Sequence, residues 1–174
     1  QVLAGADGAA HPVITLGSGE RIEVSFDDLR GGYRRFTYDI CHLDYALRPT
    51  QGLFDSEYVR ATNERGIIED YEESSNTLIN YTHYSLTFPN GDMRPLISGN
   101  YWLNIYDDDG DDTDNPVARV FFAVVEPVAN VWLTATSDTD TDANHKHQQV
   151  SVGISLSNLT LQNPDKELKI VVLQ

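Results

Sequence analysis

The chain has 174 residues and a formal net charge of −15, and 40% of its residues are hydrophobic and 10% aromatic. This composition excludes an intrinsically disordered chain, and no apolar run reaches the roughly 20 residues that a membrane-spanning helix needs, so no membrane insertion is expected. The acidic balance disfavours nucleic acid and anionic membranes as partners, because both carry the protein's own sign of charge, and it favours a neutral or basic protein surface.

Three short runs before residue 43 alternate between apolar and polar residues, which is the pattern of a strand with one buried face. They lie at residues 12–16, 21–26 and 33–42. In the third run Phe36, Tyr38 and Ile40 share one face, which we expect to point into a core.

Cys41 is the only cysteine, so no disulfide can form within the chain. It lies on the face opposite Phe36, Tyr38 and Ile40, and this position predicts a half-buried thiol on the surface of a sheet. A catalytic thiolate would need a neighbouring base or a lowered pKa.

Residues 43–77 lack a strand or helix period, although they contain Phe54, Tyr58 and Tyr71. A segment of this length must bury side chains to offset the entropy of ordering it, so we expect these three rings to anchor it on the rest of the domain. One helical turn at 55–60 and a short edge strand at 67–68 are predicted. Charged residues of the segment stay free for contact with a partner. The candidate partner-binding residues are Glu57, Arg60, Glu64 and Arg65.

Two long alternating runs, at residues 78–88 and 99–107, are separated by Pro89-Asn90-Gly91-Asp92. Pro89 restrains φ, and Asn90-Gly91 supplies the positive φ that a reversal of the chain needs. The sequence therefore predicts that the two runs form a central hairpin.

Further alternating runs lie at 117–126, 131–136, 150–156 and 168–172, and no sustained 3.6-residue apolar period occurs. An all-β fold is therefore predicted, and short strands between turn signals favour an immunoglobulin-like β-sandwich followed by a further β-rich segment. Seven strand candidates precede Pro127, so residues 1–126 are predicted to form the sandwich. Residues 127–174 either start a second sandwich or complete the first.

Residues 107–115 read DDDGDDTDN and form an acidic loop. Clustered carboxylates suit calcium, and Asp107, Asp109 and Asp111 are the candidates for a weak site. Their spacing does not fit an EF-hand, in which Pro116 would have to take the place of the twelfth-position Glu. The sequence therefore favours a solvated loop without a cofactor, and weak calcium binding stays the alternative.

Other polar residues give weak signals for chemistry. His145 and His147, in the run SDTDTDANHKH at 137–147, would share a face on a strand, but no third metal ligand is fixed. His42 and His83 are interpreted as hydrogen-bonded sheet histidines. No nucleophile elbow, zinc-protease helix, phosphate-binding loop or glycosidase carboxylate pair can be singled out, so no catalytic residue is assigned and no enzyme activity is expected.

Four stretches of the chain together resemble a known family. They are IEVSFDDLRGGYRRFTYDICH from Ile22, IIEDYEESSNTLINYTHYSLTFPN from Ile67, SGNYWLNIYDDDGD from Ser98 and VFFAVVE ending at Glu126. The family is the N-terminal domain of the plug protein of the bacterial type IX secretion system, formerly a domain of unknown function. The resemblance is clearest in the DYE, NT and YTHY elements. Residues 42–47 read HLDYAL where the family usually has an HCDADW-like motif.

The resemblance implies a non-enzymatic binding or structural domain that is exported to the periplasm and associated with the outer membrane. Its implied partner is the outer-membrane translocon, whose very large channel the plug closes from the periplasmic side when no substrate occupies it. The family supplies no catalytic residues to carry over.

A second interpretation is a glycan-binding β-sandwich of an exported protein. Tyr81, Trp102, Tyr106 and Trp132 lie opposite the predicted core parity and offer a row of rings for a sugar. Exposed coplanar rings favour the glycan interpretation, whereas buried rings favour contact with a protein.

Overall fold

The computed structural model describes residues 3–4, 12–127, 129–137, 149–156, 162–163 and 166. The chain forms two compact units, Gln1–Glu126 and Pro127–Gln174. His145, His147 and the predicted strand at 168–172 lie outside the described residues. The prediction that the second unit starts a new sandwich or completes the first stays a prediction.

The fold is all-β, as the alternating runs predict. The first unit contains β1 (Leu3–Ala4), β2 (Val13–Thr15), β3 (Ile22–Asp28), β4 (Phe36–Leu43), β5 (Val59–Ala61), β6 (Gly66–Ile67), β7 (Asp70–Glu73), β8 (Thr82–Phe88), β9 (Met93–Pro95), β10 (Gly99–Asp107) and β11 (Ala118–Val125). A single helical turn, α1 (Asp55–Tyr58), precedes β5. In the second unit β12 (Ala129–Thr136) pairs antiparallel with β13 (Gln149–Leu156). Among the described residues, no helix has both the length and the apolar character needed to cross a membrane.

Two sheets enclose the core of the first unit. One has the strand order β1-β3-β8-β7, and the other has the order β2-β11-β10-β4-β6. Their strand pairs are antiparallel, except that β2 runs parallel to β11. β5 and β9 form a separate two-stranded ribbon. The predicted sandwich is thus built from two packed sheets plus this ribbon.

Aromatic rings join the two sheets across the core. Phe88 of β8 lies 5.4 Å from Phe122 of β11 between ring centroids, and Phe122 stacks on Tyr101 of β10 at 5.2 Å. All three side chains are fully buried. The predicted inward face of β4 is confirmed, since Phe36, Tyr38 and Ile40 are buried. Offset and edge-on ring pairs stabilise the folded state by more than the burial of their surface area alone provides.

The predicted central hairpin is wrong. β8 pairs with β3 and β7, whereas β10 pairs with β4 and β11 in the opposite sheet. After the Pro89–Asp92 turn the chain enters β9, which pairs with β5. The alternation and the turn residues correctly indicate strands and a reversal, but they carry no information about which strand supplies the ladder partner.

The strand predicted to start at Leu78 starts at Thr82 instead. Leu78 is fully exposed, with a relative accessibility of 108%. The Tyr81 amide donates to Ser74 Oγ at 2.8 Å, and the Ser74 amide donates to the Tyr81 carbonyl at 2.9 Å. These bonds close the β7–β8 connection as a loop, so the apolar residues at its tip do not enter the ladder.

The segment 43–77 contains α1, β5, β6 and β7, of which β5 and β7 were not predicted, and the helical turn predicted at 55–60 ends at Tyr58. Tyr58 anchors it as expected, because its side chain is buried. Phe54 is 75% exposed, so its predicted anchoring role is wrong, and Tyr71 is partly exposed against Tyr33 at 4.8 Å. Ile68 is a buried anchor that the missing periodicity concealed.

Candidate functional site

A polar cluster lies where β4 and β10 pair, on the face of the five-stranded sheet opposite the core. Asp39 faces Asn104 in the strand register. Its Oδ1 accepts a hydrogen bond from Asn104 Nδ2 at 2.7 Å, and its Oδ2 accepts one from the Tyr106 hydroxyl at 2.9 Å. Burial, assisted by the Asp39 carboxylate, raises the pKa of Tyr106 to about 12. Tyr106 is therefore a neutral donor near pH 7 and holds Asp39 in a fixed position.

Residues 55–65 form a wall beside this cluster. The Phe54 amide donates to Glu57 Oε2 at 2.8 Å, which caps the first turn of α1. The Tyr58 hydroxyl donates to Asp55 Oδ1 at 2.6 Å, and its ring packs 5.9 Å from the His42 ring. Burial, together with Asp55, raises the pKa of Tyr58. The wall is thus held by a buried, uncharged phenol.

Arg65 covers one end of the cluster. Its guanidinium carbon lies 3.6 Å from the centroid of the Tyr106 ring, which is a cation–π contact. Its Nη1 also donates to the Thr113 carbonyl at 2.9 Å. Arg65 therefore ties the wall to the acidic loop.

A groove of about 850 Å³ lies between the wall and the sheet. It is lined among others by Asp39, Cys41, Asp55, Tyr58, Asn104 and Tyr106. The structure brings three of the four predicted partner-binding residues to this groove, namely Arg60, Glu64 and Arg65. Glu57 does not line it, and one oxygen of its carboxylate is engaged in capping α1. Partner binding by the four residues stays a prediction.

Cys41 lies on the groove side of β4, half-buried as expected. Burial, followed by the negative charges of Asp39 and Asp55, raises the pKa of its thiol. A protonated thiol is a poor nucleophile, so this environment does not activate Cys41.

The acidic loop is held by arginines. Arg30 Nη1 donates to Asp107 Oδ2 at 2.8 Å, and Arg34 Nη2 donates to both Asp107 oxygens at 3.0 Å. Arg30 Nε also donates to Asp28 Oδ1 at 2.7 Å. Asp28, Arg30, Arg34 and Asp107 thus form a clamp that links the ends of β3 and β10 in opposite sheets. Burial opposes ionisation of Asp107, but the hydrogen bonds and charges of Arg30 and Arg34 outweigh it and lower its pKa.

Two glycines make this clamp possible. Gly31 and Gly32 both have positive φ, at 73° and 76°, which lets the chain turn sharply between the two arginines. The turn is fixed to β8, because the Arg34 amide donates to the Tyr84 hydroxyl at 2.7 Å and the Thr82 hydroxyl donates to the Gly32 carbonyl at 2.9 Å.

The next two aspartates are engaged as well. Asp108 accepts a hydrogen bond from the Thr37 hydroxyl at 2.8 Å and pairs with Arg35 Nε at 3.3 Å. Asp109 accepts one from the Arg35 amide at 2.7 Å. Within the described residues no group of three or more His, Cys, Asp or Glu side chains is arranged to hold a metal ion.

Calcium is expected to leave the stability of the domain unchanged, because two guanidiniums already occupy the carboxylate of Asp107. A ligand that binds the native state raises the midpoint of thermal unfolding by mass action. We therefore expect the same midpoint in millimolar calcium and in chelator. An upward shift that is lost in Asp109→Asn or Asp111→Asn would support the calcium site at Asp107, Asp109 and Asp111.

The strand histidines are hydrogen-bonded, in agreement with their interpretation. His42 Nδ1 lies 2.8 Å from Thr50 Oγ1, and His83 Nδ1 lies 2.6 Å from Asp27 Oδ1. The two residues lie on β4 and β8, in opposite sheets. Neither pair belongs to the groove lining.

Of the three aromatic residues of the first unit proposed for sugar binding, Tyr81 and Trp102 are partly buried and Tyr106 is buried, so these three do not form a row of exposed rings. Tyr106 is buried under Arg65, and Trp102 is partly buried with its ring 5.7 Å from Phe121. Trp132 is exposed but belongs to the second unit.

The sequence interpretation missed residues that build the clamp and residues that form the floor of the groove. They are Asp28, Arg30, Arg34, Asp39 and Asn104. Arg30 and Arg34 flank Gly31-Gly32, and the acidic loop at 107–115 is rich in aspartate. Two such oppositely charged stretches are a signal that could have suggested ion pairing. Asp39 and Asn104 come together only through the β4–β10 register.

Residues 1–126 match the family model described as "Type 9 secretion system plug protein 1st domain". No curated protein matches the chain. Among solved structures, the chain is similar to the crystal structure of a hypothetical protein from Parabacteroides merdae ATCC 43184, with 34% sequence identity and a TM-score of 0.77. The match covers 95% of this chain and 41% of that chain, so this chain spans less than half the length of that relative.

Proposed function

Because the chain belongs to the family of the first domain of the type 9 secretion system plug protein, we propose that it helps to close the periplasmic side of the outer-membrane translocon channel. The family match over residues 1–126 carries the proposal. The domain acts as an exported, non-enzymatic binding module in the periplasm, associated with the outer membrane through its protein partner.

The chemistry of the groove supports binding rather than catalysis. Tyr58, Tyr106 and Cys41 all have raised pKa values, so these three groups are protonated near neutral pH. The Asp39 carboxylate accepts hydrogen bonds at both of its oxygens. A general base or nucleophile needs a pKa matched to the working pH, and the raised pKa values of the two phenols and the thiol move these groups away from it.

The rim of the groove supplies charge that a protein partner can recognise. Arg60 and Glu64 are exposed, and Arg65 is held in place by Tyr106 and the Thr113 carbonyl. Complementary charges across an interface set specificity and association rate. Closing a channel needs such contacts with the channel wall and no chemical step.

The glycan-binding alternative has one supporting observation, since Trp132 leaves 56% of its surface exposed. Tyr106 is unavailable as a stacking platform because Arg65 covers it. Binding to an array of cell-surface glycans that Trp132→Ala abolishes would favour this alternative over the plug.

Reversing two rim charges is expected to weaken the complex without unfolding the domain. In Arg60→Glu/Glu64→Lys both side chains are exposed, so the change in unfolding free energy should stay within about 0.5 kcal/mol. The measurement is affinity purification of the full-length exported protein with its outer-membrane partners, beside thermal unfolding of the same variant. Recovery of the translocon at the wild-type level would contradict a role for this rim.

Glu57 is best tested apart from the other two residues, because it caps α1. Glu57→Lys is expected to lower stability by about 1 kcal/mol through loss of the cap. A change in complex recovery with this variant would therefore mix the effects of folding and contact, whereas Arg60→Glu/Glu64→Lys separates them.

A further inference from the structure

The arginines of the first unit fall into two groups. Residues 1–126 contain nine arginines and no lysine. Four of them form ion pairs with aspartates, namely Arg30, Arg34, Arg35 and Arg65. The other five are Arg21, Arg48, Arg60, Arg94 and Arg119, whose guanidiniums have no ion pair or hydrogen bond within the described part of the chain. Of these five, Arg60 and Arg94 lie side by side. In a protein with a net charge of −15, unpaired cations lying side by side call for an explanation.

Arg60 and Arg94 are direct cross-strand neighbours. They face each other in the register of the β5–β9 ribbon, and both are exposed. Directly opposed residues project on the same face of a ladder, and like charges there destabilise it. The ribbon is fixed on its other face, where Met93 and Pro95 are buried. Among the described residues, neither of these two adjacent like charges has an ion-pair partner.

The ribbon separates two grooves. Arg60 lines the 850 Å³ groove described above, and Arg94 lines a second groove of about 530 Å³ together with Arg21. Leu96 lines both grooves, so they meet at the ribbon. An extended chain that lies in the second groove and continues over the ribbon would pass both arginines.

Several carboxylates that line these grooves are already engaged. Asp39 and Asp55 accept the hydrogen bonds described above. Glu20 accepts the Thr15 amide at 2.7 Å, which lowers the pKa of Glu20. Glu64 is the exception among the lining carboxylates, since no described group pairs with it. A hydrogen bond from a neutral donor leaves a carboxylate charged, so the formal charges of the lining residues decide. The first groove has three carboxylates against Arg60 and Arg65, whereas the second has Arg21 and Arg94 against Glu20 alone and is net positive.

We infer that the surface formed by the β5–β9 ribbon and the second groove binds an extended acidic segment of a protein partner, with Arg60 and Arg94 taking its carboxylates. Guanidinium groups bind carboxylates through two parallel hydrogen bonds, and such a ligand removes the repulsion between the two arginines. A positive patch on an otherwise acidic surface also directs the segment to this place. This inference rests on the proposed function and adds the chemistry of the partner segment.

The test compares Arg60→Gln/Arg94→Gln with the matched control Arg48→Gln/Arg119→Gln in the full-length exported protein. The control removes the same charge from two exposed arginines that line neither groove. We expect recovery of the outer-membrane partner to fall about tenfold with the first variant and to stay near wild type with the control. The thermal midpoint of the first variant should stay the same or rise, because a repulsion is removed.

Competition identifies the occupant. Oligoglutamate is expected to displace the partner from the wild-type protein, whereas oligoglutamine and inorganic phosphate should not. Displacement by phosphate alone would overturn a peptide occupant. A dimer of the exported protein that dissociates in Arg60→Gln/Arg94→Gln would assign the surface to a second copy and overturn the inference.

The two levels of the proposal fail in different ways. If the wild-type protein recovers no translocon component, the proposed function fails, and the inference fails with it. If the wild type recovers the translocon and Arg60→Gln/Arg94→Gln does so equally well, only the inference is overturned.

Discussion

Asp107→Asn is expected to lower the free energy of unfolding by about 3–5 kcal/mol, the cost of breaking a buried ion pair by removing one partner. The Asp107 side chain is 3% exposed, and it receives hydrogen bonds from Arg30 and Arg34. Without its charge, the partly buried Arg34 loses its closest anion, and the link between β3 and β10 is weakened. Urea or thermal unfolding measures the loss.

The control is Asp111→Asn in the same loop, an exposed residue for which a change within about 0.5 kcal/mol is expected. Equal stability of the two variants would contradict a structural role for the clamp.

The same residue predicts how stability depends on pH. The folded-state pKa of Asp107 is lowered from the ordinary value of 3.8, so its contribution is fully present above that value and is lost as the pH falls through the lowered one. The stability difference between wild type and Asp107→Asn should therefore narrow on acidification below about pH 4. If the difference in unfolding free energy between the two proteins were constant with pH, the charge of Asp107 would not be what stabilises the clamp.

Phe122→Ala is expected to destabilise the first unit by about 3–5 kcal/mol, which is the usual cost of removing a buried phenylalanine ring. Phe122 is fully buried between Phe88 of one sheet and Tyr101 of the other. Its loss leaves a cavity at the centre of the sandwich, because rigid rings on both sides cannot close in to fill it. Chemical denaturation gives the change in unfolding free energy.

Phe121→Ala is the matched control, since it removes the same ring from the neighbouring position of β11 on the opposite face. Phe121 is partly buried and packs edge-on against Trp102. Its removal should cost less than half as much as that of Phe122. A larger loss at Phe121 than at Phe122 would reverse the assignment of the two faces.

Part of the candidate site could be predicted from the sequence. The missing periodicity of 43–77 and its charged residues point to a contact surface, and Arg60, Glu64 and Arg65 do line a groove. The groove itself was not predictable, because its floor comes from Asp39 and Asn104 on two strands that lie far apart in the chain. Arg94 was missed for the same reason, since it meets Arg60 only through the β5–β9 register.

The pattern of apolar and polar residues is enough to predict which residues of β3, β4, β8, β10 and β11 face the core. The alternation around Tyr38, Tyr84 and Phe122 is local, because successive side chains of a strand point to opposite faces whichever strand pairs with it. Family membership was equally visible, since it rests on runs of residues. The folded structure was needed to show that β8 and β10 lie in opposite sheets, and that the acidic loop binds Arg30 and Arg34. Strand partners and ion pairs depend on contacts between residues that are distant in the chain, such as Arg34 and Asp107, which are 73 positions apart. A local sequence pattern does not encode such contacts.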